Sequence, residues 1–161
     1  MPGGPAERLR DVLAAATGPS TKPTDAPLAD ARPIAVGWAT VELDRAAREL
    51  AADLGIEPGA FTAAPDSAEL GAWARVARAA LPGEVAVAIL EPNTEGRLAA
   101  ILARHGEGPA AIWLEAAEPS QADDARRWPD LRDGPFGPER PLGGERPIRF
   151  LVERPTGTIA P

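Results

Sequence analysis

EVAVAILEPNTEGRLAAILARHGEGPAAIWLE, Glu84 to Glu115, reads as strand, helix, strand. Val85 to Leu90 is a short apolar run rich in β-branched residues, closed by Glu91-Pro92. Asn93 or Thr94 is the expected helix cap, because a short side-chain oxygen accepts a free N–H of the first turn. Leu98, Ile101, Leu102 and His105 recur at helical spacing. Gly106 is the expected stop, since glycine enters the left-handed region without a Cβ clash. Pro109 opens a second apolar run, Ala110 to Leu114.

Working outward, Ile34 to Val41 predicts another strand. Leu43, Ala47, Leu50 and Leu54 give the next segment a helical apolar stripe, and Gly55 ends it. Pro5 to Thr17 predicts a short helix with Leu9, Val12, Leu13 and Ala16 on one face, docking on the domain or on a partner chain. Pro19, Pro23, Pro27 and Pro33 mark a linker over 19–33, because proline fixes φ and disfavours helix before it. Residues 56–71 read as turns, with Phe61 in a possible short edge strand. Residues 67–81 fit two patterns. Leu70, Trp73, Ala77 and Ala80 suit a helix; the alternation Trp73, Arg75, Ala77 suits a strand. Ser120 to Trp128 predicts a helix stopped by Pro129. From Pro129 to Pro147 five prolines and four glycines predict loop and edge. Pro147 to Glu153 predicts a strand.

Three stretches together resemble the vicinal-oxygen-chelate (glyoxalase-like) superfamily, and within it the methylmalonyl-CoA epimerases. They are Ile89-Leu90-Glu91-Pro92 with Arg104-His105-Gly106-Glu107-Gly108, IAVGWATVELDRAARELAADLG from Ile34 to Gly55, and FLVERPTG from Phe150 to Gly157. The resemblance implies an α+β domain over 34–161, built from two βαβββ modules in a cupped, mixed sheet, preceded by the N-terminal helix over 1–18. It favours the strand over 72–79. It makes Pro147 to Glu153 the penultimate strand, so the second module is expected to be truncated at Ala160-Pro161.

The resemblance also implies a divalent metal in the cup, held by His, Gln or Glu, His and Glu. Those positions fall on Ala35, about Ala88, Ala111, and at or beyond Pro161. An alanine methyl has no lone pair to donate, so no metal and no cofactor is expected. Strand alternation places Ala35, Gly37, Ala39, Ala86, Ala88 and Ala111 on the cup face, with Ile34, Val36 and Trp38 on the helix-packing face. Trp113 and Glu115 are then the large groups of the cup. Trp113, Glu115, Ala35, Gly37, Ala88 and Ala111 are the candidate ligand-binding residues, suited to a small flat or cationic molecule. His105 in the last helical turn complements the helix dipole. Glu91 and Glu107 read as capping or solvated.

The remaining numbers narrow the function classes. The chain has 161 residues, 44% of them hydrophobic, enough for one domain with a sizeable core. Tyr and Cys are absent, which removes phenol, thiol and disulfide chemistry. Seventeen basic against 24 acidic residues give −7, which argues against nucleic acid as a partner. No apolar run reaches membrane-spanning length, and a cytoplasmic location is expected. Three readings follow. The protein is a metal-free binding domain for a small molecule, with a homodimer as the expected assembly; an isomerase or lyase related to the epimerases; or a degenerate domain kept for assembly.

Overall fold

The computed structural model describes residues 3–17, 31–115, 131–142 and 146–152. Within them lie helices α1 (Pro5–Thr17), α2 (Leu43–Leu54) and α3 (Arg97–His105). The strands are β1 (Arg32–Ala39), β2 (Thr62–Ser67), β3 (Ala72–Leu81), β4 (Val85–Pro92), β5 (Gly108–Glu115), β6 (Arg132–Gly134), β7 (Gly137–Pro141) and β8 (Ile148–Val152). The expected helix over 120–128 lies outside the described residues.

All eight strands form one sheet in the order β2-β3-β4-β1-β5-β8-β7-β6. β1 is parallel to β4, and β5 is parallel to β8, so the same four-strand pattern occurs twice. The two halves meet where β1 runs antiparallel to β5. The outer strands curl towards each other: the Ala68 N–H after β2 donates to the Asp133 carbonyl of β6 at 3.1 Å. The sheet is thus nearly closed into the expected α+β cup.

Residues 72–81 are a strand, although the spacing of their apolar groups suits a helix. Pairing with β4 on one side and β2 on the other overrides local propensity. Residues 62–67, expected as turn, form β2. Its proline, Pro65, is tolerated because β2 is an outermost strand with one side free of a ladder. Among the described residues the second module has four strands, most of them shorter than those of the first: the Pro-rich segment supplies β6 and β7 at the sheet margin, and β8 takes the place beside β5 that β4 takes beside β1.

The two faces bury different residues. On the back, Val36, Trp38, Val87, Ile89, Ile112 and Leu114 pack against Ala46, Ala47, Leu50 and Ala51 of α2 and Leu9 of α1. α1 therefore docks on the domain itself. Asp53 of α2 accepts the Ala6 N–H at 2.7 Å, and the Arg8 guanidinium lies 5.1 Å from the Trp38 ring centre. On the front, Ala35, Ala39, Ala86, Ala88, Ala110 and Ala111 line the cup floor. Ile34 departs from the expected alternation and packs against the cup cluster, because the β1–β5 register slips between Pro33 and Ala35.

The linking helix starts later than the sequence suggests. Its cap is Gly96, not Asn93 or Thr94, and no side chain caps it. The Leu70 carbonyl does that work, accepting the Leu98 N–H at 3.0 Å. Gly106 ends the helix at φ 70°, as expected. Glu91 accepts the Leu43 N–H at the start of α2. Glu107 accepts hydrogen bonds from Thr40, Val41 and Arg45. Burial raises its pKa, but these donors outweigh burial and hold the carboxyl below its ordinary value.

Candidate functional site

The floor is built from β1, β4 and β5, whose inward positions are small. Above it sits Trp113, fully buried. Its ring lies so close to the first strand that a methyl built on Gly37 would stand 2.8 Å from it. Gly37 is therefore the seat of the indole rather than open floor. Phe150 of β8 stacks on Trp113, with ring centres 5.7 Å apart and planes 17° apart. Phe136, half-buried at the β6–β7 turn, meets the same indole edge-on at 5.0 Å.

One carboxyl lies inside this aromatic group. Glu139 of β7 is 0% exposed. The Trp113 indole N–H donates to its Oε2 at 2.6 Å, and the Ser67 hydroxyl donates to its Oε1 at 3.0 Å. Ser67 in turn accepts the Leu70 N–H at 3.4 Å. Gly134 of β6 leaves the space that the carboxyl occupies, since any side chain there would collide with it. The site thus joins the two modules: Ser67 comes from the first, Glu139 and Trp113 from the second.

Burial is the main force on this carboxyl and pushes its pKa up to about 7; the Trp113 and Ser67 hydrogen bonds pull it down, and the nearby Glu69 charge pushes it up. Glu69 is itself paired with Arg97 at 3.0 Å and Arg132 at 3.5 Å. No described lysine, arginine or histidine pairs with Glu139.

The structure brings Ala35, Ala88, Ala111, Gly37 and Trp113 together in the cup. Glu115 is nearly buried at the end of β5, where Arg32 pairs with it at 2.9 Å. Trp38 lies in the back core, and His105 is exposed. Ser67, Gly134, Phe136, Glu139 and Phe150 were not foreseen as site residues. A hairpin signal was present for part of the group: Gly134 pairs with Gly137 across the two-residue turn Pro135-Phe136.

No family model matches the sequence, and neither does any curated protein. Solved structures do match. A methylmalonyl-CoA epimerase of Streptomyces coelicolor, in complex with 2-nitronate-propionyl-CoA, aligns over 78% of this chain and 98% of its own, with TM-score 0.58 and 22% identity. The epimerase from Mycobacterium tuberculosis aligns over 75% and 86%, with TM-score 0.58 and 19% identity. An epimerase in complex with methylmalonyl-CoA and NH4+ aligns over 78% and 95%, with TM-score 0.59 and 22% identity. The chain has the vicinal-oxygen-chelate fold.

Among the described residues, the metal that the resemblance implies finds no set of ligands. Ala35, Ala88 and Ala111 stand at three ligand positions. The fourth was expected at or beyond Pro161. That position lies outside the described residues; the inward positions of β8 are Ile148, Phe150 and Val152, which offer carbon alone. Among the described residues no group of three acidic, His or Cys side chains is placed to hold an ion. No described helix is long and apolar enough to cross a membrane.

Proposed function

We propose that this vicinal-oxygen-chelate domain is a metal-independent binding module that seats a small organic molecule in its cup, against Trp113, Phe136 and Glu139. One observation carries this reading. Among the described residues, the fully buried Glu139 carboxyl sits with the Ser67 hydroxyl and the Trp113 indole inside the cup, and alanines stand at three positions where the resemblance implies metal ligands. Apolar walls with one fixed polar group are the usual make-up of a small-molecule site.

Elemental analysis of protein purified without chelator, and exchange of the methylmalonyl-CoA C2 proton in D2O followed by NMR, test it together. The expected results are no stoichiometric divalent metal and no exchange above background. A stoichiometric ion with catalysed exchange would overturn the reading in favour of an epimerase. A second reading, a domain kept for assembly, has the close seating of Trp113 on Gly37 in its favour. Thermal melts across a small-molecule set separate the two: binding raises Tm by linkage, whereas an assembly domain shows no shift with any compound.

A further inference from the structure

The two side chains that hydrogen-bond to Glu139, the Trp113 indole and the Ser67 hydroxyl, are neutral. No described cation pairs with this carboxyl, and Glu69 adds negative charge nearby. Arg97 and Arg132 are engaged by Glu69. Arg140 and Arg149, beside Glu139 in the sheet, alternate to the other face. The other buried acidic side chain among the described residues, Glu115, has Arg32 against it at 2.9 Å. A buried carboxylate without a cation is costly, and an ion that supplies the missing charge removes that cost.

Resting on the reading of the cup as a ligand site, we propose that the molecule taken up is a monocation, a protonated or quaternary amine, whose charge meets Glu139 and whose alkyl groups lie against Phe136 and Trp113. Phe136 marks the route. It sits at the tip of a two-residue turn between Gly134 and Gly137, just after the shortest strand of the sheet, and it is the half-buried member of the aromatic group.

Choline and its neutral isostere 3,3-dimethyl-1-butanol are the probes, with methylmalonyl-CoA as the anionic control. The readout is the indole N–H resonance of Trp113 in the full chain, assigned with Trp113→Phe. Choline is expected to shift this resonance saturably at millimolar concentration, the isostere at least tenfold more weakly. Glu139→Gln, which keeps the shape, should abolish the choline shift. The wild-type protein carries the same test through pH: choline affinity should fall about tenfold for each pH unit below 7, as protons take the carboxyl. Equal binding of the isostere, a flat pH profile, or unchanged binding by a folded Glu139→Gln overturns the cation assignment. If methylmalonyl-CoA or the isostere moves the resonance and choline does not, the cup reading stands and the cation fails. If none of the three moves it, both fall.

Discussion

The two modules contribute differently to one cup. In the first, β3 and β4 run ten and eight residues, and the mid-strand positions facing inward on β1 and β4 are alanine and glycine, with Ile34 and Leu90 towards the strand ends. In the second, β6, β7 and β8 run three, five and five residues, and they carry Phe136, Glu139 and Phe150, with Trp113 from β5. The long half supplies room and the short half fills it. The gap between a small floor and a large side chain is therefore closed across the module boundary. A module taken alone would have an unfilled floor or an uncovered indole.

Trp113→Ala breaks this complementarity most severely. It empties the space above Gly37 and removes one donor to Glu139. A loss of about 3–5 kcal/mol is expected in urea unfolding; a loss below about 1 kcal/mol would show that the halves are not coupled through the indole.

Glu139→Gln probes the same seam through its proton. The folded pKa of about 7 lies above the ordinary carboxyl value of 4.5. A raised carboxyl favours folding while protonated, so its contribution is complete below about 4.5, falls as pH rises towards 7, and stays lost above. At about 1.4 kcal/mol for each pH unit of that window, wild type should lose ~3 kcal/mol relative to Glu139→Gln between pH 4.5 and 7.5. Parallel stability curves for the two proteins would contradict this.

Gly37→Ala asks how exactly the floor and the filler match. The added methyl meets the Trp113 ring, and overpacking of about 1–3 kcal/mol is expected. Combined with Trp113→Phe the cost should shrink, because contacting residues do not add independently. A full additive loss would place the strain elsewhere than at the indole.

Much of the first module was legible because its strands and helices carry regular patterns. Gly55 and Gly106 mark helix ends, and small residues alternate with large ones on β1, β4 and β5. The segment over 72–81 was not legible from its own spacing, because sheet partners on both sides decide its state. The Glu139 group was hidden for a different reason. Gly137-Pro138-Glu139-Arg140-Pro141 has the composition of a loop, and no periodicity announces an inward carboxyl. Its placement depends on Ser67, Trp113 and Gly134, which lie 72, 26 and five residues away. The prolines and glycines of the same stretch predict loop and edge, and β6 and β7 do lie at the sheet margin.

The Ala68 to Asp133 hydrogen bond has a consequence for self-association. Open sheet margins invite strands from other molecules, the usual beginning of aggregation. Here the two outermost strands face each other, one holds Pro65 and the other is three residues long. Neither offers a long ladder of free N–H and C=O groups. A second copy seeking to add a strand meets two short or proline-broken margins that already lean on each other.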